Sequence, residues 1–228
     1  MGRWFSLVVA LVLVGASVVP ASAATNIQLR FWPTSDSTIV GVTWNSAVWG
    51  VTLRRDFGTS WAASFSFDHG GITNWTGAPL GTDSYNRFWS VNLHRTYQTE
   101  RAMYSVYAGY GGTAWEAPSF PAHVRQTAFR LGADVTFSLR ERWFLVGDVG
   151  YTPGQGAEAL NYAVGGTVSG SATLLDYRVG IAYRINNWGL EVGYRGIDWN
   201  LSAAMCGGIT PCFLRWGGVY VGANFTTP

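Results

Sequence analysis

Apolar and polar residues alternate with a period of two along most of residues 24–228, and this periodicity constrains the fold more than any other sequence feature. In the segment 174–185, one set of alternate positions is apolar or aromatic, and the other carries Gly, Ala and charged residues. Alternate side chains of a strand point to opposite faces, so this period predicts strands with one apolar face. No stripe with the helical period of 3.6 extends over ten residues. The sequence therefore predicts an all-β chain.

Asn186-Asn187 separates this segment from a second alternating segment, 188–199, and is a typical two-residue hairpin turn. Such a turn pairs Ile185 with Trp188, after which every apolar residue of one strand meets an apolar residue of the other. A shift by one residue would mix the two faces, so the register is well specified. On the polar face the register predicts three proximities: Arg178 opposite Arg195, Arg184 diagonal to Glu191, and Asp176 diagonal to Arg195.

The connections between alternating segments are of two kinds. Four are short, near 58–59, 98–99, 140–142 and 186–187, and five are longer and rich in Gly, Pro, Ser and Thr, near 33–46, 70–84, 112–122, 153–171 and 200–212. Short and long connections alternate, which indicates an up-and-down meander of about 9–12 residues per strand. Four short turns and five long loops predict ten strands, with eight or twelve as alternatives.

The first 23 residues have the pattern of a cleaved secretory signal. Arg3 is followed by a short apolar run, 5–14, and Ala21-Ser22-Ala23 is a typical cleavage site. The predicted domains are therefore a signal peptide, 1–23, and a barrel domain, 24–228.

An amphipathic meander is compatible with two opposite arrangements. A soluble barrel of the lipocalin type packs its apolar face inward, whereas a membrane barrel turns that face toward lipid. Charged residues make up 12% of this chain and Lys is absent, so the polar face is poorly suited to be a water-exposed surface. The formal charge of +2 provides no basic surface for nucleic acid, and the missing Lys excludes P-loop and Schiff-base chemistry.

Aromatic residues lie at the ends of the predicted strands. Four follow the short turns and predict a belt at one membrane interface: Trp61, Tyr104, Trp143 and Trp188. Four others lie toward the long loops and predict a second belt: Tyr110, Tyr151, Tyr194 and Trp199. Together with the strand lengths, these positions favour the membrane barrel.

The signal peptide, the meander, the alternation of short turns and long loops, and the last strand 219–225 (VYVGANF) resemble bacterial outer-membrane β-barrel proteins of the small opacity/OmpA-like kind. Thr226, Thr227 and Pro228 follow the terminal aromatic residue, where that class ends. The resemblance implies an all-β transmembrane antiparallel barrel in the bacterial outer membrane, with the lipid bilayer and the outer-membrane assembly machinery as partners. It implies no particular activity.

The polar face of the predicted barrel carries a balanced set of charges. Six Arg and six carboxylates are expected to line the lumen: Arg30, Arg54, Arg130, Arg178, Arg184 and Arg195, and Asp56, Asp68, Asp134, Asp148, Asp176 and Glu191. Equal numbers favour internal ion pairs over a selectivity ring of one sign. Two alternatives remain, a barrel filled by its own ion pairs and a narrow polar pore.

Cys206 and Cys212 predict a local disulfide, with two free thiols as the alternative. His69, His94 and His123 lie in separate segments without metal-ligand spacing, so no metal and no cofactor are expected. Asp68-His69 and Asp198 lie at the predicted long-loop rim, where omptin-like proteases also carry acid and His groups, but no residue-by-residue match assigns them a catalytic role.

These observations predict a non-enzymatic outer-membrane barrel with a structural or surface-interaction role, or a narrow passive pore for small polar solutes. Two alternatives come from other classes. One is an outer-membrane enzyme with its site at the rim, an omptin-like protease or a lipid-modifying enzyme, and the other is a secreted soluble ligand-binding barrel.

Overall fold

The structure, a computed structural model, describes residues 24–39, 42–75, 84–117, 122–161, 166–206 and 212–227. The strands are β1 (Thr25–Ile39), β2 (Val42–Phe57), β3 (Trp61–Trp75), β4 (Tyr85–Gln98), β5 (Ala102–Ala117), β6 (Ala122–Arg140), β7 (Trp143–Asn161), β8 (Gly166–Ile185), β9 (Trp188–Leu201) and β10 (Cys212–Thr227). A 3₁₀ helix, Ala203–Cys206, follows β9. The predicted signal peptide, 1–23, lies outside the described residues. In the part of the chain that the structure describes, no helix is long and apolar enough to cross a membrane.

The ten strands close into one antiparallel barrel. Each strand pairs with its neighbours in the chain, and β1 closes the barrel by pairing with β10. Closure leaves the sheet without an unpaired edge. The prediction of an up-and-down barrel with ten strands is confirmed, and the alternatives of eight and twelve strands are excluded.

The predicted hairpin register is confirmed. Ile185 pairs with Trp188 across the two-residue turn, and Arg178 faces Arg195. Asn186 has a φ of 52°, a left-handed conformation that Asn tolerates better than most residues. The turn chemistry and the apolar alternation therefore specify the same pairing.

The strands are longer than the sequence predicted. They span 14 to 20 residues and continue into segments that the composition indicated as loops, such as 112–117 and 153–161. Gly and Pro carry little strand propensity, but the neighbouring strands continue and supply backbone partners for these segments. The long-loop end of the barrel is thus built largely from paired strands.

The outer wall near the short turns is apolar. Leu190, Val192 and Val221 are each more than half exposed, and Trp61, Tyr104, Trp143 and Trp188 lie outward beside the short turns with exposed fractions of 43–62%. A continuous apolar surface of this extent is stable in lipid and costly in water. The soluble barrel with an inward apolar face is therefore excluded, and the environment of this wall is a lipid bilayer.

The face pattern inverts toward the long-loop end. In β9, Ile197 and Trp199 are buried inside the barrel, whereas Asp198 and Asn200 point outward. The same inversion recurs in β5, where Trp115 is buried inside and the following Glu116 lies outside. The outer wall is therefore lipid-facing in the short-turn half and water-facing in the long-loop half. The prediction of Trp199 in the second aromatic belt is wrong, because Trp199 shares the inward face of β9 with Glu191 and Arg195.

An apolar cluster fills the barrel in the long-loop half. Trp199 packs edge-on against Trp216, with ring centroids 6.5 Å apart, and Trp199 Nε1 donates to Gln126 Oε1 at 2.8 Å. The buried members of the cluster are Phe88, Trp115, Ala117, Ala157, Ala159, Ala172, Leu174, Ile197, Trp199, Leu201, Met205, Cys212, Leu214 and Trp216. This interior is packed like the core of a soluble protein.

Two glycines let a tyrosine enter the lumen in the short-turn half. Gly180 and Gly193 pair across β8 and β9, beneath the ring of fully buried Tyr220. A Cβ atom at Gly193 would lie 2.3 Å from the carbonyl oxygen of Val179 and 2.9 Å from the Tyr220 ring. This position therefore requires glycine because backbone and ring approach closely.

Candidate functional site

A polar cavity of about 260 Å³ occupies the lumen in the short-turn half. It extends from residues beside the short turns, among them Asp56 and Thr226, to Phe88, which belongs to the apolar cluster. Eleven of the twelve charged residues predicted to line the lumen border this cavity: Arg30, Arg54, Asp56, Arg130, Asp134, Asp148, Asp176, Arg178, Arg184, Glu191 and Arg195.

A chain of buried ion pairs crosses the lumen at the inner end of the cavity. Asp68 binds Arg30 and Arg195, each at 3.0 Å, and Asp176 binds Arg130 at 3.0 Å and Arg195 at 3.7 Å. Arg195 and Arg130 also stack on the ring of Phe88 at 5.5 and 5.3 Å. These contacts join β1, β3, β6, β8 and β9 across the barrel, where each buried charge has an opposite charge beside it.

A second group of contacts surrounds Glu191. Its Oε1 lies 3.6 Å from Arg178 Nη1 and accepts a hydrogen bond from the Tyr220 hydroxyl. Its Oε2 accepts from Gln28 at 2.9 Å and from Asn224 at 3.2 Å.

The predicted ion pair between Arg184 and Glu191 is not formed. Arg184 stacks instead on the ring of Phe144 at 4.3 Å, near the short-turn end. The diagonal register is as predicted, but Arg178 and the Tyr220 hydroxyl contact the Glu191 carboxylate instead. The predicted proximity of Asp176 and Arg195 is present.

A third group lies beside the short turns and includes residues that the sequence reasoning missed. Asp134 binds Arg54 at 3.1 Å, and Arg54 also approaches Asp56 at 3.4 Å. On its other oxygen, Asp134 lies 3.0 Å from His94 Nδ1, and His94 Nε2 lies 2.8 Å from Ser64 Oγ. Ser64, His94 and Asp134 all border the cavity.

Asp148 completes the set of predicted lumen charges. Its side chain accepts a hydrogen bond from the Tyr107 hydroxyl at 3.2 Å, and its backbone pairs with that of Asp134 on one side and that of Arg178 on the other.

The outer wall of the long-loop half carries a cluster of charged and aromatic side chains. Glu116 binds Arg87 at 3.0 Å and Arg125 at 3.1 Å, and accepts from the Tyr85 hydroxyl at 2.5 Å. Partial burial raises the pKa of Glu116, but the Tyr85 hydrogen bond and the two guanidinium groups outweigh it and hold the net pKa below its usual value.

The rim residues predicted from sequence do not converge. Asp68 lies inside the lumen, whereas His69 points outward between Trp49 and Tyr85, with ring centroids 5.7 and 5.6 Å away. Consecutive residues of a strand face opposite sides, so these two cannot act together. Asp198 binds Arg215 on the outer wall.

Two further features concern metal and thiol chemistry. Cys206 and Cys212 form a disulfide that links the 3₁₀ helix to β10, so the alternative of two free thiols is excluded. In the described ranges, no group of three or more His, Cys, Asp or Glu side chains is placed to hold a metal ion.

Comparisons with known proteins identify the fold. No protein-family model matches the sequence, and no curated protein matches it. The outer membrane protease OmpT from Escherichia coli superimposes with a TM-score of 0.56 at 10% identity, covering 90% of this chain and 93% of that one. Two further matches are Ail, the attachment invasion locus protein of Yersinia pestis (0.39, 14% identity, 90% and 99% coverage), and Neisserial surface protein A (0.39, 11%, 89% and 96%). At these identities the comparison concerns architecture alone, and the chain has the fold of a bacterial outer-membrane β-barrel.

Proposed function

We propose that the protein is an outer-membrane barrel that conducts no solute and has a structural or surface-interaction role. The observation that carries this proposal is the apolar cluster around Trp199 and Trp216, which fills the long-loop half of the lumen. Ions and small polar solutes need a hydrated path, and a packed apolar interior does not provide one. The chain of ion pairs through Asp68 and Asp176 lies next to the cluster along the lumen, so a solute would have to pass both.

Export through residues 1–23 and insertion by the outer-membrane assembly machinery belong to this proposal. The apolar outer wall beside the short turns supports membrane insertion, and short turns face the periplasm in barrels of this kind. The water-facing long-loop half then projects outside the cell. Its outer wall, with Arg87, Glu116 and Arg125, is the surface that a partner would meet.

Planar-bilayer recording on the refolded protein tests the proposal. We expect no steady single-channel conductance, with a known porin inserted in the same bilayer as the positive control. Folding is checked by the gel mobility shift that an unheated barrel shows against the boiled chain. A steady open state in the unmodified protein would overturn the proposal and favour the narrow passive pore.

An omptin-like protease site at the rim is not part of this proposal. OmpT is a protease, but similarity at 10% identity concerns the fold alone. Asp68 and His69 lie on opposite faces of β3, and His123 pairs with Glu158 on the outer wall at 3.1 Å. Within the described residues, no acid and His pair faces into the mouth of the barrel at the long-loop end.

A further inference from the structure

Ser64, His94 and Asp134 form a continuous series of hydrogen bonds inside the lumen. Ser64 Oγ lies 2.8 Å from His94 Nε2, and His94 Nδ1 lies 3.0 Å from Asp134 Oδ2. The three residues come from β3, β4 and β6. This order of groups is the one in which a serine nucleophile is activated by a histidine base, which a carboxylate holds in the correct tautomer.

We propose that Ser64, His94 and Asp134 are a nucleophilic site that hydrolyses short-chain carboxylic esters entering the lumen from the short-turn end. The site borders the polar cavity of about 260 Å³, a volume that admits a small acyl group and its alcohol but not a long lipid chain. The inference goes beyond the proposed closed barrel and is independent of it, because the cavity is reached from the short-turn end.

The surroundings supply the other parts that such a site needs. Asn92 Nδ2 donates a hydrogen bond to Ser64 Oγ at 3.4 Å, so an amide donor lies at the nucleophile. The ring of Tyr107 packs against His94 with centroids 5.0 Å apart, which restricts rotation of the imidazole. Arg54 binds the other oxygen of Asp134 and keeps the carboxylate turned toward His94.

The reaction balances without any further reagent except water. Ser64 Oγ attacks the ester carbonyl carbon while its proton passes to His94 Nε2. The bond between the carbonyl carbon and the alcohol oxygen then breaks, and the leaving oxygen takes the proton from Nε2. A water molecule attacks the acyl-serine in the same way, releasing the carboxylic acid and returning the proton to Ser64. Asp134 stabilises the imidazolium throughout and is a positioning residue.

Labelling with a small alkyl fluorophosphonate tests the nucleophile directly. The folded protein in detergent micelles is treated with the reagent, digested and examined by mass spectrometry. We expect one phosphonylated serine, Ser64, and no adduct in the urea-unfolded chain. The absence of an adduct on Ser64 in the folded protein, or equal modification in the unfolded chain, would overturn the proposal. This experiment needs no variant, so it stays decisive even if substitutions prevent folding.

Turnover of p-nitrophenyl acetate tests the activity. Ser64→Ala and His94→Gln should each lower the hydrolysis rate about 100-fold or more, since assistance by a positioned base contributes at least this factor. Ser169→Ala is the control of the same chemistry: Ser169 is exposed on β8 in the long-loop half and does not border the cavity. Its rate should equal that of the unmodified protein. A rate unchanged in Ser64→Ala would refute ester hydrolysis at this site.

Discussion

Glu191→Gln tests whether the ion-pair network inside the lumen stabilises the barrel. The substitution keeps the size of the side chain and removes its charge. The carboxylate is buried and interacts with four partners: Arg178, Tyr220, Gln28 and Asn224. A carboxamide has one oxygen and one NH₂ group, so it cannot accept from both sides as the carboxylate does.

The structure allows the magnitude to be worked out. If the NH₂ group takes the place of Oε2, the amide donors of Gln28 and Asn224 lose their acceptor, at about 1–3 kcal/mol for each buried unsatisfied group. Removing one partner of a buried ion pair costs about 3–5 kcal/mol. Arg178 retains a hydrogen bond to Gln28 Oε1 at 2.5 Å, which reduces the loss. Both costs describe the loss of the same carboxylate and are not added, so we expect the free energy of unfolding to fall by about 3 kcal/mol, the lower end of the ion-pair range.

Urea unfolding in lipid vesicles, followed by tryptophan fluorescence, measures this change. Glu158→Gln is the matched control, because Glu158 is more than half exposed and its His123 contact lies on the outer wall. An exposed pair contributes at most about 1 kcal/mol. Equal losses in the two variants would show that the contacts of Glu191 inside the lumen stabilise the barrel no more than a surface contact does.

Three further predictions use the same unfolding assay. Val192→Arg, on the lipid-facing wall of β9, should destabilise the barrel by about 2–4 kcal/mol, whereas Asn200→Arg on the water-facing wall of that strand should change little; the reverse order would mean that the assignment of the two halves is wrong. Gly193→Ala should destabilise the barrel by about 1–3 kcal/mol because its Cβ atom would meet the Val179 carbonyl oxygen and the Tyr220 ring. Gly189→Ala should be nearly neutral because the nearest atom to its Cβ would be 3.4 Å away. Similar effects at both sites would disprove the close approach at Gly193. The pKa of Glu116 is depressed in the folded state, so its contribution to stability is complete above its ordinary pKa of about 4.5 and is lost as the pH falls through the lower pKa of the folded state. Glu116→Gln should abolish that part of the acid dependence of stability. An unchanged pH profile would refute this expectation.

Part of this protein follows from the sequence by local rules. Alternation within 174–185 and 188–199 determines which residues share a face, and Asn186-Asn187 determines the register that the structure shows. The count of short and long connections yields ten strands because each connection is a local feature. The disulfide follows from two nearby Cys residues in an exported chain.

The strand lengths and the inversion of faces depended on the tertiary structure. The composition of segments 112–117 and 153–161, each with Gly or Pro, indicates loops, but neighbouring strands supply their hydrogen-bond partners. The apolar positions of β9 change parity between Tyr194, which points outward, and Ile197 and Trp199, which point inward. Alternation states only that the two faces differ, and not what surrounds each of them. Trp199 is part of the apolar core because β9 has left the bilayer at this level, where water rather than lipid surrounds the outer wall.

Contacts across the lumen were decided by closure alone. Ser64 and His94 lie diagonally on the paired strands β3 and β4, whereas β5 separates the strand of His94 from that of Asp134. Pairing of adjacent strands can be deduced from the register of a hairpin, whereas the approach of side chains across the interior depends on the number of strands and their stagger around the whole barrel. For the same reason Arg178, rather than Arg184, reaches Glu191: the sequence determined which residues point inward, and the curvature of the closed wall determined which of them meet.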